Sequence, residues 1–164
     1  MAGDAFAPHD HSRCQRSVME AVRKSCAERG LRLTPARECA LRALLEDHKA
    51  MTAYELLDRL RDEGLGSQPP IAYRALDFLV SNGFAHRIEG LSAFVACTLG
   101  EAPHSAAFLI CRECRTVAET SLPQLGSLIE GAAAGSDFAL EREVVEAEGL
   151  CGRCRDALPD GVAP

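Results

Sequence analysis

Two Cys-x-x-Cys pairs, Cys111/Cys114 and Cys151/Cys154, lie 36 residues apart in a chain of 164. Each pair can present two sulfurs from one tight turn. Two such turns complete a tetrahedron of thiolates at about 2.3 Å around an ion such as zinc. The competing reading is a pair of redox dithiols. Neither Cys111 nor Cys151 sits in a strand–Cys-x-x-Cys–helix context of the thioredoxin type, and two spaced pairs in one chain weigh towards metal. Four thiolates leave no open coordination position, so the expected site is structural. It would tie the first and last elements of a small C-terminal domain whose own core is thin. The N-terminus carries Asp4 and Asp10 and no apolar run, so no secretory signal is read. The expected compartment is the reducing cytoplasm, where disulfides do not persist.

The charge distribution divides the chain in the same place. The net charge is −6, which alone argues against a nucleic-acid partner. Yet residues 1–90 hold 13 Lys/Arg and 13 Asp/Glu, and residues 91–164 hold 5 and 11, so the whole excess is C-terminal. Residues 12–42 carry 8 basic against 3 acidic side chains. A basic N-terminal part on an acidic protein fits a chain of which only the first part meets phosphate; a solvated helix face rich in Arg is the plainer alternative. At 5%, aromatic residues are too few for a base-stacking platform on single strands. The longest run without a charge, Gly90 to Gly100, is far short of the roughly 20 residues of a membrane span.

The N-terminal half reads as helices followed by a hairpin. Residues 1–12 lack periodicity and are expected to be a flexible tail. Ser17-x-x-Glu20 has the form of a capping box, Val18, Val22 and Cys26 share a face, and Gly30 suits a C-terminal cap. Thr34-Pro35 opens a second helix with Ala40, Leu41, Leu44 and Leu45 inward. Thr52-x-x-Glu55 opens a third, through about Asp62, with Leu56, Leu57 and Leu60 inward and Gly64 and Gly66 at its end. Pro69-Pro70 launches a fourth from Ile71 to Ser81, burying Leu76, Leu79 and Val80. Phe84–Ile88 and Ala93–Cys97 are then two strands turning at Glu89-Gly90. Helices followed by a hairpin make a winged helix-turn-helix, with helix 71–81 in the major groove.

Pro103 marks a linker. Beyond it come short strands at 107–110 and 116–119, a helix at 122–134 and a strand at 138–147 that leads into the second Cys pair. Four further residues have ordinary readings singly: His86 and Cys97 in the wing, His104 after the linker, and Glu119 at the end of a strand.

The motifs join in order. Leu33-Thr34-Pro35-Ala36-Arg37, Tyr54-Glu55-Leu56-Leu57, Tyr73-Arg74-Ala75-Leu76-Asp77-Phe78-Leu79, Gly83-Phe84-Ala85-His86, Ile110-Cys111-Arg112-Glu113-Cys114 and Glu148-Gly149-Leu150-Cys151-Gly152-Arg153-Cys154 resemble the ferric uptake regulator family over about residues 17–155. Pro69-Pro70 and the Glu146–Cys154 ending are similar to its zinc uptake regulator branch. Residues 71–72 read Ile-Ala where the family commonly has Thr-Val, which removes a phosphate contact or cap.

The resemblance implies an α+β protein. Its N-terminal winged helix-turn-helix domain (13–97) would be followed by a hinge (98–103) and a small α/β dimerisation domain with structural zinc (104–164). It implies a zinc-responsive repressor, not an enzyme, that binds palindromic double-stranded operator DNA as a homodimer and controls zinc uptake genes. No membrane and no small organic ligand are expected. Two zinc ions per chain are implied: a structural one on Cys111, Cys114, Cys151 and Cys154, and a regulatory one on His86, Cys97, His104 and Glu119. Arg74 is the expected base reader, since its fork matches guanine O6 and N7. Tyr73 and Tyr54 are expected at phosphate or base, and Arg37 at the backbone. Three alternatives stand beside this: iron, manganese or peroxide sensing on the same fold; a zinc deaminase, against which the His86–Glu89 spacing and the lack of a Pro before either Cys pair both speak; and a structural zinc protein without DNA binding.

Overall fold

A computed structural model describes residues 5–6, 11–98, 106–141 and 143–157. His104, residues 99–103 of the expected hinge and most of the expected tail lie outside the described residues. Two compact units emerge: Pro8–Glu101, and Ala102–Pro164 together with Met1–Ala7.

The first unit contains helices α1 (His11–Glu28), α2 (Pro35–Leu44), α3 (Ala53–Asp62) and α4 (Pro69–Ser81), then strands β1 (Ala85–Ile88) and β2 (Ala93–Ala96). Local chemistry sets most of these boundaries. The Thr34 side chain accepts from the Arg37 N–H, and Pro35 occupies the first turn of α2. The Thr52/Glu55 capping box forms in both directions. Gly30, Gly64, Gly66 and Gly83 all take positive φ at turns. Gly66 is the most constrained: its φ of 131° is one that L side chains rarely adopt, and a Cβ there would also lie 2.2 Å from Ile71 Cδ1.

Three expectations for this unit are corrected. α1 begins at His11, so Ser17 lies inside the helix and Ser17/Glu20 cap nothing; Gln15 Nε2 donates to Leu45 O at 3.0 Å and anchors the early turns. Val80 is half-buried, while Ala72 and Ala75 fill the inner face of α4 with Leu76 and Leu79. Ile71 packs against the core and Gln68 is the N-cap, so the Thr-to-Ile departure removes no cap.

β1 and β2 pair antiparallel with His86 opposite Val95, across a turn at residues 89–92. Met51 adds a bridge to Phe94, its N–H donating at 2.9 Å and its carbonyl accepting at 2.8 Å. The wing is thereby stitched to the loop before α3.

The second unit contains β3 (Ala106–Cys111), β4 (Val117–Ser121), α5 (Pro123–Gly135), β5 (Val145–Gly149) and α6 (Gly152–Asp156). The sheet order is β4-β3-β5, with β4 antiparallel and β5 parallel to β3. The strand expected over 138–147 is corrected to Val145–Gly149. Val145 already pairs Ala107, so the residues preceding it run past the start of β3, and Phe138 is left 63% exposed. The short α6 has no counterpart in the sequence reading.

Candidate metal centre and nucleic-acid interface

Register builds the cysteine site. Parallel pairing sets Cys111, the last residue of β3, against Gly149, and the Arg112 N–H donates to Gly149 O at 2.9 Å. Arg115 takes φ 59° to close the first turn, whose N–H returns to Cys111 O at 2.9 Å. Cys151 is the N-cap of α6, and the Arg155 N–H returns to its carbonyl at 2.8 Å. All four sulfurs fall within 4.8 Å of one another, with Cys114 and Cys151 at 3.9 Å. Ligands at 2.3 Å in a tetrahedron stand about 3.8 Å apart, so this cluster accepts zinc with a small contraction.

The environment favours thiolate on the first pair. Burial opposes ionisation of Cys114, but the Thr116 hydroxyl at 3.2 Å and the Thr116 N–H outweigh it and hold the thiol at about 6. Cys111 is also lowered: burial again opposes, and backbone N–H groups led by those of Cys114 and Cys151 prevail, the Cys151 N–H lying 3.4 Å from its sulfur. Cys154 is pushed up to about 12 by its contact with Cys151, then by burial and by the other two thiols. Cys154 therefore keeps its proton until an ion displaces it.

Two expected regulatory ligands share one face of the wing. The Cys97 N–H donates to Phe84 O at 3.0 Å, which extends the β1–β2 ladder by one pair. His86 lies two residues beyond Phe84, so His86 and Cys97 are diagonal neighbours on the same side. Cys97 is buried and His86 half-buried. In the second unit Glu119 sits on β4 opposite Phe108 and is only 8% exposed.

The face of α4 away from the core displays Tyr73, Arg74 and Asp77, and Tyr54 opens α3. Tyr54 is 67% and Tyr73 45% exposed, so neither is spent on packing. Among the described residues the Arg74 side chain has no ion pair or hydrogen bond. Arg37 differs. Its guanidinium lies 3.7 Å from the centroid of the Phe78 ring and donates to Arg32 O. The basic excess of residues 12–42 is likewise largely engaged: Arg23 pairs with Glu38, Lys24 with Glu28 and Arg42 with Glu63. The ring contacts of Arg37 and the Arg42–Glu63–Cys39 cluster were not read from the sequence, because they join residues far apart in the chain.

A profile of the ferric uptake regulator family matches residues 28–147. The chain is 40% identical over 138 residues to the zinc uptake regulation protein of Escherichia coli strain K12, covering 84% of this chain and 81% of that one. This chain belongs to the ferric uptake regulator family. A zinc uptake regulator solved with zinc and DNA superposes with a TM-score of 0.83 at 38% identity, over 87% of this chain and 95% of that one. The holo XcZur crystal structure gives 0.78 at 43% identity, over 86% and 99%. The fold class expected from the sequence is thereby met in both halves: winged helix-turn-helix, then a small α/β unit.

Proposed function

We propose that this family member is a zinc-responsive transcriptional repressor that binds palindromic operator DNA as a homodimer and controls zinc uptake genes. The observation that carries the reading is the likeness to a relative seen with both zinc and DNA, matched over nearly its whole length. The exposed Tyr73, the uncommitted Arg74 and the helix α4 that carries them supply a reading head of the kind a major groove accepts.

The structural zinc is assigned to Cys111, Cys114, Cys151 and Cys154, whose sulfurs fit a tetrahedron. A regulatory zinc is assigned to His86, Cys97, His104 and Glu119, giving two ions per chain. Two imidazoles, one thiolate and one carboxylate sum to zero with the dication, which suits the half-buried His86 and the buried Cys97 and Glu119. The thiolate selects zinc over manganese or iron, which take nitrogen and oxygen donors more readily. Ligands drawn from both units at about 2.0–2.3 Å leave little slack, so metal loading would restrict the orientation of the winged helix. Zinc and operator would then strengthen each other's binding by the same factor.

Dimerisation is assigned to the second unit. α5 buries only Gly126 among its described side chains, although Glu130 is its one charged residue; Leu128 is 70% exposed, and β5 is an edge strand. Such a surface suits a second copy of the same chain.

The test is zinc per chain and operator affinity in wild type and Cys97→Ser. Two ions in wild type, with one lost together with operator binding in the variant, is the expected result. One ion in both removes the regulatory site. In the same assay Arg74→Ala is expected to cost about 1–3 kcal/mol and to flatten sequence preference; an equal fall on operator and random DNA would strip Arg74 of its base-reading role.

A further inference from the structure

Arg29, in the turn after α1, and Arg37, in the first turn of α2, flank the same two rings. Phe78, in the last turn of α4, and Phe84, one residue before β1, stand 6.2 Å apart between centroids at 52°. The Arg37 guanidinium lies 3.7 Å from the Phe78 centroid, and the Arg29 guanidinium 5.6 Å from that of Phe84. The two cations thus bracket an aromatic pair in an arrangement stabilised by the ring quadrupoles. Arg29 also grips the C-cap of α4: it donates to Asn82 O at 3.2 Å and to Asn82 Oδ1 at 2.8 Å, while Asn82 Nδ2 donates to Phe78 O at 2.8 Å. From there Gly83, at φ 78°, turns the chain, and the Phe84 N–H returns to Leu79 O at 2.8 Å. Phe84 O in turn accepts from Cys97 at the far side of the wing.

We infer that Arg29 and Arg37 are positioning residues for DNA reading: they lock the last turn of α4 to the root of the wing, so that Tyr73 and Arg74 are presented in one orientation. This rests on the assignment of α4 as the reading helix. It gives Arg37 a role other than the phosphate contact expected from the sequence. The chemistry separates the two roles. A phosphate contact needs only a positive charge, so lysine serves. A guanidinium held 3.7 Å over a ring is not replaced by a compact ammonium.

The experiment uses the zinc-loaded full-length protein with a duplex selected by the wild type from a random pool, and non-selected DNA as control. Arg37→Lys, Arg37→Ala and Phe78→Leu are each expected to lower affinity for the selected duplex by about tenfold. The slope of log K against log salt and the affinity for non-selected DNA should stay as in wild type. Phe78→Tyr, which keeps the ring, should restore wild-type behaviour. By NMR, the Arg37 Nε–H and δ-methylene resonances should be shifted upfield by the ring in wild type and in Phe78→Tyr, and return to ordinary positions in Phe78→Leu. Full affinity in Arg37→Lys, with a slope shallower by about one in Arg37→Ala, would make Arg37 a phosphate contact and overturn the inference. So would the absence of the ring shift in wild type. If the wild type selects no duplex at all, the reading of α4 fails and this role falls with it; that outcome is distinct, since in the others the wild type binds.

Discussion

The Pro8–Glu101 unit and the Ala102–Pro164 unit are held by different forces. In the first, Leu41, Leu56, Leu60, Leu76 and Leu79 are wholly inaccessible, and all four helices and both wing strands contribute to one cluster. In the second, the buried apolar side chains among the described residues are Ala107, Phe108, Ile110, Val117 and Ala118, with Cys111 and Cys151 beside them, and α5 adds only Gly126. Area removed from water stabilises at roughly 25 cal/mol per Å², and a sheet with five such residues gathers little of it. The difference teaches where a structural ion has most to contribute: the unit poor in apolar contacts is the one that carries two cysteine turns.

Removing the metal should break this comparison most severely. Structural zinc contributes about 10–16 kcal/mol in small zinc domains at neutral pH. Strong chelation, or Cys114→Ser, is therefore expected to abolish protection of the β3 and β5 amides and to dissociate the proposed dimer. Amides of α2, α3 and α4 should keep their protection. Hydrogen exchange resolved by residue checks it; loss of protection across both units together would mean that their stabilities are not separate.

The converse perturbation is smaller. Leu60→Ala empties a wholly buried site between helices and should cost about 2–5 kcal/mol. Denaturant unfolding should show an earlier transition for the helical unit, with zinc per chain unchanged. A variant that loses both of its ions would contradict a four-cysteine site built only from residues after 102.

The same contrast explains what the sequence disclosed. Boundaries made by neighbours along the chain were legible: Thr34 with Pro35, Thr52 with Glu55, the Pro69-Pro70 start and the two Cys-x-x-Cys turns all encode their geometry within four residues. Boundaries made by distant partners were not. α1 reaches back to His11, where Gln15 finds a carbonyl at the end of α2. β5 is cut to five residues because its partner β3 starts at 106, which no alternation in 138–147 reveals. Of the candidate site, the cysteine cluster followed from spacing alone. The grouping of His86, Cys97, His104 and Glu119 came from family resemblance, since as single residues they carry no spacing signal. The engagement of Arg37 was hidden because charge composition counts a guanidinium without saying whether it faces a phosphate or a ring.

The smallest effect distinguishes the two sets of cysteines by pH. Cys39, 2% exposed on α2, is raised from 9.0 to about 11, first by burial and then by the charge and hydrogen bond of Glu63, with Arg42 and Arg59 opposing. The paired thiol Cys114 moves the other way, to about 6. A raised folded-state value means that the folded unit holds a proton that the unfolded chain gives up. The contribution of Cys39 is therefore complete below pH 9 and is lost as pH rises through about 11. The urea midpoint of the helical unit should fall between those two pH values in wild type, and fall less in Cys39→Ala. Taking the difference between the two proteins cancels the lysines and tyrosines that titrate in the same window. An equal fall in both would show that the thiol is not shielded as its burial and its Glu63 contact require, and that the two classes of cysteine do not differ in the property that suits one to a metal and the other to a core.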